Sequence, residues 1–481
     1  MKILFTIFSF LMLSGSQLFA QVDIPLFTTN FTAEEFAQRR NKIYDLIGDK
    51  SIAVLQGAPS PAGYVRFRQT NEFYYLSGIE IPHAYLLLNG ASRTASLYIP
   101  VRNPARERSE GKMLSAEDAS QITKLSGIEN IFPAGLMTEH LGRMPNMETA
   151  FTPLSPAEGL AMSRDLAVRA IADASSDAWD GTGSREGLFA EKLRARFPRF
   201  DLKDLSPALD AMRLIKSPRE IELITKASRL SGLALMEAMR SVEPDMYEYE
   251  LDAASKYIYF LNGAQGDAYY SLIASAENAY YPHYNAGKRL MKDGDFLLMD
   301  YAPDYGYYMS DLTRMMPVNG KFSPVQRELY GFYLACYKSI LKHIKPGETA
   351  QAIKKLAAAD MQKILSGSKF SKPIYTAAAK NFVDNYVRSA ERPGNLGHWI
   401  GMATHDVGGV DAGPLRAGMV FTIEPALTVP EERIYIRLED AIVITERGAE
   451  IISNFIPMEM DAIEKLMKET GILQAYPQEK K

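Results

Sequence analysis

Cysteine and histidine are both scarce in this chain of 481 residues. It contains one cysteine, Cys336, and six histidines. A single cysteine cannot form an internal disulfide, and a thiolate metal site needs several cysteines, so both are excluded. If the chain binds a metal, most of the ligands must therefore be carboxylates.

A strong net charge and a long apolar run are also missing. The 54 basic and 58 acidic residues leave a net charge of −4, which gives no reason to expect nucleic-acid binding. No stretch approaches the ~20 apolar residues that cross a bilayer, so we expect no stable membrane anchor. With 47% hydrophobic and 23% charged residues, the chain has the composition of a folded protein, and its length predicts two or three domains.

Residues 1–20 have the pattern of a secretory signal peptide. Lys2 gives a positive start, residues 3–13 are apolar, and the segment ends in Leu18-Phe19-Ala20. This order predicts cleavage near Ala20 and export to the periplasm or the medium. An uncleaved anchor or a buried N-terminal helix is the alternative.

Residues 22–205 alternate predicted helices and strands. The capping box Thr32-Ala33-Glu34-Glu35 and the stop at Gly48 predict a helix over 33–47. Short apolar runs predict strands at 51–55, 73–76, 84–88 and 96–99, and a helix is expected over 115–125. Between 142 and 187 the pattern decays and indicates little beyond surface loops and one or two helices. The alternation predicts an α/β domain.

A second domain is predicted over residues 211–470. Ser217-Pro218-Arg219-Glu220 combines an N-cap serine, a proline at the first helical position and a glutamate three residues after the cap, so a long helix should start here. Farther along, closely spaced strands are expected at 296–300, 420–424 and 434–439.

Acidic residues stand at the ends of these apolar strands. Asp300 ends one strand, and Asp311 follows after residues 302–306, whose composition is typical of a turn. Glu424 and Glu439 repeat the arrangement across residues 430–433. Each pair should lie on adjacent antiparallel strands, close enough to share a ligand. A single acid in such a place usually binds backbone, but the paired recurrence favours a functional site.

Carboxylates that converge in a buried site repel one another and need compensating positive charge. Arg437 lies two residues before Glu439, so both side chains should point to the same face of the strand. One arginine is too little for four acids, whereas two divalent cations would suffice. Oxygen ligands with one imidazole suit manganese, cobalt, iron or zinc.

Three histidines lie in the same half of the chain as the paired acids. They are His283, His398 and His405. A histidine beside tryptophan, as in His398-Trp399, is more often a packed core residue, but the shared location favours function. Tyr269 and Tyr270 either line a pocket or belong to an aromatic core.

Together these segments resemble the pita-bread catalytic domain shared by methionine aminopeptidase, aminopeptidase P and prolidase. The resemblance runs from about residue 217 to 448, and all five metal-ligand positions match: Asp300, Asp311, His398, Glu424 and Glu439. Residues 67–78, followed by Pro82-His83-Ala84, are similar to the N-terminal domain of aminopeptidase P, which methionine aminopeptidases lack. The resemblance therefore implies an α/β N-terminal domain followed by an α+β pita-bread catalytic domain.

The resemblance also implies a role for each matching residue. Asp300 would hold one metal, His398 and Glu424 the other, and Asp311 and Glu439 would bridge them. A hydroxide that bridges the metals would be the nucleophile. Four residues would act on the substrate or its protons: Glu424 as the proton carrier, His405 at the oxyanion, His283 near the scissile bond, and Arg437 in positioning.

The implied protein is an exported dinuclear aminopeptidase that removes the residue ahead of proline from peptides. Manganese is the first expectation for the metal, and a homo-oligomer is expected because relatives often are dimers or tetramers. Two departures affect specificity. Gly394 replaces a histidine often found four residues before the ligand histidine, and Ala426-Leu427-Thr428 stands where the family often has a glycine and then a tyrosine.

Three other functions stay open at this point. A prolidase-type dipeptidase would share both domains and all five ligands. A non-catalytic peptide-binding relative would typically lack the acids. A metal-independent amidinohydrolase similar to creatinase would not need all five ligands.

Overall fold

The computed structural model describes residues 30–475. The predicted signal peptide, residues 1–20, lies outside the described residues, so its cleavage stays a prediction, as do the domain boundaries and the homo-oligomer. Among the described helices, none combines the length and the apolar character needed to cross a membrane.

Residues 51–204 contain a six-stranded mixed sheet with helices around it. The strands are β1 (Ser51–Gln56), β2 (Tyr85–Asn89), β3 (Thr94–Ile99), β4 (Asn130–Pro133), β5 (Thr149–Thr152) and β6 (Asp201–Asp204). The helices are α1 (Ala33–Ile47), α2 (Asn71–Ser77), α3 (Pro104–Glu110), α4 (Ala119–Ser126), α5 (Met137–Gly142), α6 (Arg164–Ser176), α7 (Arg185–Arg196) and α8 (Ser206–Leu214). The strand order is β4-β3-β2-β1-β5-β6.

Both faces of this sheet are buried, as an α/β domain requires. On β1, Ala53 and Leu55 belong to the large core that includes α1, whereas Ile52 and Val54 belong to a smaller core with Phe189 of α7. Successive residues of a strand point to opposite faces, which explains the separation. The predicted helix at 33–47 is confirmed, and the strands expected at 51–55, 84–88 and 96–99 are present within about two residues.

The predicted strand at 73–76 is wrong, because these residues lie in α2. Every residue of α2 is buried, and the helix ends at Gly78 in the left-handed conformation (φ 67°). Its last carbonyls are satisfied from α1, where Arg39 donates to Tyr75 O at 3.1 Å and Arg40 to Leu76 O at 2.9 Å. A short apolar run buried on all sides has no periodicity that separates helix from strand.

The second half begins with a long helix and continues with short antiparallel sheets. Its helices are α9 (Pro218–Ser241), α10 (Glu248–Leu261), α11 (Pro324–Leu341), α12 (Ala350–Gly367), α13 (Pro373–Ala390), α14 (Met460–Leu466) and α15 (Ile472–Ala475). Its strands are β7 (Gly266–Asp267), β8 (Leu272–Ser275), β9 (Phe296–Asp300), β10 (Pro303–Asp304), β11 (Thr313–Pro317), β12 (Val420–Ile423), β13 (Ala426–Val429), β14 (Ile434–Arg437), β15 (Asp440–Ile444) and β16 (Ala449–Ile451). The predicted capping box at Ser217 and Glu220 is formed at the start of α9.

The paired strands that carry the acids are present, with one correction. β9 pairs with β11 in antiparallel register, so that Asp300 lies opposite Thr313. The strands expected at 420–424 and 434–439 are shorter. β12 pairs with β15, and β13 pairs with β14. Both strands of the predicted hairpin are therefore interrupted, and the hairpin is divided into two shorter strand pairs.

A buried charge network joins the two halves of the chain. Arg213 of α8 donates to Glu158 Oε2 at 2.8 Å and to Asp406 Oδ1 at 2.5 Å, and its other terminal nitrogen lies 3.3 Å from Glu72 Oε1. The Arg213 side chain is 1% exposed, as is Asp406, whose other oxygen lies 3.1 Å from Lys216 Nζ. Buried charges are tolerated only when they are paired in this way.

Arg213→Met should therefore destabilise the fold strongly. The change keeps apolar bulk but leaves buried carboxylates without their shared cation, so we expect the free energy of unfolding to fall by about 3–5 kcal/mol. Urea or thermal unfolding measures the loss. Arg240→Met, which removes partly exposed ion pairs with Glu469 and Glu237, is the control and should cost less than about 1 kcal/mol. Equal losses in the two variants would contradict a supporting role for the network.

Candidate metal centre

Glu424 and Glu439 lie at the two interruptions of the long hairpin. Glu424 separates β12 from β13, and Glu439 separates β14 from β15. Pro425 has no N–H to donate to a strand ladder, which explains the first interruption. The Tyr333 hydroxyl of α11 bridges both: it donates to Pro425 O at 2.5 Å and accepts from the N–H of Leu438 at 2.8 Å. The two glutamates are thereby held side by side.

Hydrogen bonds fix Glu439 from two directions. Thr313 Oγ1 donates to Glu439 Oε2 at 2.9 Å, and Arg314 donates to the Glu439 carbonyl at 2.8 Å. Arg314 is itself held by Asp440 at 2.6 Å, and neither side chain is exposed. The other carboxylate oxygen of Glu439, Oε1, is buried and has no hydrogen-bond partner among residues 30–475. It is therefore available to a ligand.

Asp300 and Asp311 are joined by a tyrosine and flanked by an arginine. The Tyr269 hydroxyl lies 2.6 Å from Asp300 Oδ1 and 2.6 Å from Asp311 Oδ1. Arg437 donates to Asp300 Oδ2, and its Nη1 lies 3.4 Å from Glu424 Oε2. Sequence reasoning identified Tyr269 only as a candidate pocket residue and missed its contact with the acids. Its position next to Tyr270, 31 residues before Asp300, carries no local signal of that contact.

His398 is placed by the strand beside it. Its carbonyl accepts the N–H of Thr422 on β12 at 2.9 Å. A Cβ on the preceding residue, Gly397, would lie 2.0 Å from Thr422 O, so only glycine allows this approach. The His398 Nδ1 lies 3.2 Å from the Trp399 carbonyl. An Nδ1–H donated there leaves Nε2 as the ligand atom.

The geometry around His398 Nε2 fits a cation better than a hydrogen-bond network. Nε2 lies 3.4 Å from Asp311 Oδ2, 3.4 Å from Glu424 Oε1 and 3.5 Å from Glu439 Oε1. These distances are longer than ordinary N–H···O hydrogen bonds. Donors in tetrahedral positions at about 2.1 Å from one cation would be separated by about 3.4 Å.

All five predicted metal ligands converge in overlapping groups of possible ligand atoms. One group is Asp300, Asp311 and Glu439, a second is His398, Glu424 and Glu439, and a third is Asp311, His398 and His405. Within each group the atoms lie within 4.8 Å of one another. The donor set of four carboxylates and one imidazole, with an unpartnered Glu439 oxygen, fits divalent cations.

The pKa values show how unfavourable these charges are without cations. Burial raises the pKa of Asp300 to about 6, against the opposing charge of Arg437. Burial and the charge of Glu439 raise the pKa of Glu424 to about 7. Burial opposes a charge on His398 too, but the nearby carboxylates of Asp311, Glu439 and Glu424 outweigh it and raise the histidine pKa. Divalent cations would supply the missing positive charge.

The centre opens into a cavity of about 180 Å³ that both halves of the chain line, and three of the four acids, all but Glu439, line it. His283, His405 and Arg437, the other predicted catalytic residues, also line it. Burial and the charge of Arg437 lower the pKa of His283, so its imidazole is neutral near pH 7. The N-terminal half contributes Ala161, Ser163 and Leu166 to the wall. The sequence did not predict that contribution.

A larger cavity, of about 340 Å³, lies elsewhere. Phe296, Met315 and Tyr435 contribute to its lining, but none of the five predicted metal ligands does. Convergent polar groups and perturbed pKa values mark a catalytic site better than size alone. The smaller cavity is therefore the candidate site.

Comparisons with known proteins agree with this geometry. The sequence profile of metallopeptidase family M24 matches residues 222–446, and that of the aminopeptidase P N-terminal domain matches residues 36–150. The Xaa-Pro aminopeptidase of Escherichia coli strain K12 is 30% identical over 461 residues, covering 91% of this chain and 98% of that protein. The Xaa-Pro aminopeptidase of Haemophilus influenzae is 29% identical and covers 90% of this chain and 97% of its own.

The fold matches as well. The structure of aminopeptidase P from E. coli with the inhibitor Pro-Leu superposes with a TM-score of 0.73 at 27% identity, covering 91% of this chain and 98% of that chain. The predicted fold class, an α/β N-terminal domain followed by an α+β pita-bread catalytic domain, is confirmed. The chain therefore belongs to the aminopeptidase P branch of metallopeptidase family M24.

Proposed function

We propose that this metallo-aminopeptidase acts outside the cytoplasm and hydrolyses the bond between the N-terminal residue of a peptide and a following proline. The observation that carries the proposal is the convergence of four carboxylates and His398 in one centre that opens into a cavity. Alignment with Xaa-Pro aminopeptidases along about nine-tenths of the chain supports the substrate class.

The centre would hold two divalent cations, with manganese as the first choice and cobalt, iron or zinc as alternatives. Asp300 would hold one cation, and His398 with Glu424 the other. Asp311 and Glu439 would contact both, and they are the two carboxylates that belong to two ligand groups. When bound, the cations would polarise the scissile carbonyl and lower the pKa of a water at the site.

The remaining residues act on the substrate and on protons. Glu424, which lines the cavity, would accept a proton from the attacking water and pass it to the leaving nitrogen. His405 would stabilise the oxyanion, and neutral His283 would hydrogen-bond the peptide near the scissile bond. The pKa of the Arg437 guanidinium is too high for the group to exchange protons during the reaction. Arg437 instead orients Asp300 and Glu424.

The two departures from the family pattern leave the metal ligands unchanged. Gly394 has no side chain and adopts φ 150°, and the side chain of Thr428 on β13 is exposed. Neither residue lines the cavity that contains the acids. Hydrolysis should therefore be retained, and any effect of the two departures should appear in the preference for proline.

An Xaa-Pro-Xaa tripeptide tests the proposal directly. After chelation and reloading with manganese, the protein should release the N-terminal residue. Asp311→Ala removes a ligand shared between the two cations, so we expect less bound metal and a fall in kcat/KM of more than about 100-fold. Metal analysis and peptide hydrolysis measure both effects. Asp461→Ala, at a carboxylate that is 89% exposed, is the control and should behave as the wild type.

Other outcomes of this assay point to the competing functions. Cleavage of an Xaa-Pro dipeptide but not of the tripeptide would identify a prolidase-type dipeptidase. No cleavage after manganese loading would favour a binding protein. Full activity in the presence of chelator would favour a metal-independent enzyme similar to creatinase.

Tyr269→Phe should weaken metal binding without removing a ligand. The hydroxyl that lies between Asp300 and Asp311 is lost, so the two carboxylates are less well oriented. We expect the affinity for manganese to fall by about 10-fold, as measured by calorimetric titration. Tyr270→Phe changes a half-exposed neighbour in the same cavity. An equal loss in both variants would contradict the orienting role of Tyr269.

Export predicts a shortened mature chain. When the full chain is expressed in a bacterial host, the soluble exported protein should begin at Gln21, as N-terminal sequencing or intact mass will show. Leu11→Arg interrupts the apolar run at residues 3–13 and should leave an unprocessed chain in the cytoplasm. Wild-type protein that accumulates there at full length would contradict export.

A further inference from the structure

The N-terminal half contacts a proposed catalytic histidine directly. His405 Nδ1 lies 3.1 Å from Asp165 Oδ2, although the two residues are 240 positions apart in sequence. Asp165 lies in the first turn of α6, and its side chain is 49% exposed. The His405 ring lies 4.4 Å, centroid to centroid, from the ring of His398. His405 is thus held between a predicted metal ligand and an acid of the other half.

The segment that carries Asp165 is fixed on both sides of that contact. Ser163, which is buried, accepts the backbone N–H of His405 through its hydroxyl at 3.2 Å. Arg164 donates to Glu72 at 2.6 Å and lies 3.3 Å from the fully buried Glu158. Ala161, at the start of this segment, adopts the left-handed conformation with φ 50°, which persists only where surrounding contacts enforce it. The position of Asp165 is therefore well determined.

The loop that carries His405 is fixed through the same network. Asp406, the next residue, binds Arg213 at 2.5 Å, and Arg213 binds Glu158 at 2.8 Å. The backbones of Asp165 and His405 are consequently anchored to one buried cluster. This anchoring fixes the backbone but does not fix the rotation of the His405 ring. The group that contacts the ring nitrogen Nδ1 is the Asp165 carboxylate.

We propose that Asp165 is a positioning residue for His405 in the proposed peptide hydrolysis. The Asp165 carboxylate accepts the Nδ1–H of His405 and fixes the rotation of the ring, and with it the direction in which Nε2 points. A ring that is already oriented loses less entropy when it stabilises the transition state. The inference rests on the proposed function, because His405 has no other assigned task.

Asp165→Ala tests the inference through the separation of kcat from KM. We expect kcat on an Xaa-Pro-Xaa peptide to fall by about 10-fold while KM stays within about two-fold, because an interaction needed in the transition state is weakened. Metal content and thermal unfolding should match the wild type, since Asp165 is half-exposed and does not touch the predicted ligands. Asp173→Ala, at an exposed acid on the same helix, is the matched control and should leave kcat unchanged.

A double-mutant cycle with His405→Ala shows whether Asp165 affects kcat through His405. If Asp165 acts through His405, Asp165→Ala should cause no further loss in the His405→Ala background. An equal further loss in that background would overturn the inference, and so would an Asp165→Ala variant with the kcat of the Asp173→Ala control. If the wild type cleaves no Xaa-Pro-Xaa peptide, the proposed function fails and the inference falls with it. The two failures are therefore distinguishable.

Discussion

Repulsion among four buried carboxylates is the constraint on which the arrangement of the catalytic half depends. Asp300, Asp311, Glu424 and Glu439 converge on one centre, and burial raises the pKa of each. Protein groups supply little compensation, since Arg437 is the one arginine that pairs with them among the described residues. The surrounding hydrogen bonds from Tyr269 and Thr313 hold the acids in place despite this repulsion. Such a centre is stable when cations neutralise it.

The sequence predicted the acids for a physical reason that the structure bears out in part. Apolar strands that end in acids have a short-range pattern, and β9 with β11 forms the expected antiparallel pair next to Asp300 and Asp311. The interruptions at Glu424 and Glu439 were not predicted. They depend on Pro425 and on the hydroxyl of Tyr333, which lies 92 residues away in sequence. A local pattern cannot contain that contact.

Other differences between the predictions and the structure also arise from contacts between residues that are distant in sequence. The apolar run at 73–76 forms a fully buried helix because Arg39 and Arg40 of α1 satisfy its last carbonyls, and no residue near the run indicates this. The contact of Tyr269 with two aspartates and the wall formed by Ser163 and Leu166 also join distant parts of the chain. Apolar strands that end in acids thus predicted the four carboxylates, and the family resemblance identified His398, whereas the groups that orient these residues became visible only in three dimensions.

The shared network around Arg213 limits how this chain can be divided. Arg213 binds Glu158 from the first half and Asp406 from the loop that carries His405, so each half supplies counter-charges that the other requires. A chain that begins at α9 would lack both Arg213 and Lys216, the two cations that pair with Asp406 in the intact protein. To separate the catalytic half of this chain from the first half, one would therefore have to replace Asp406 or supply a new cation for it.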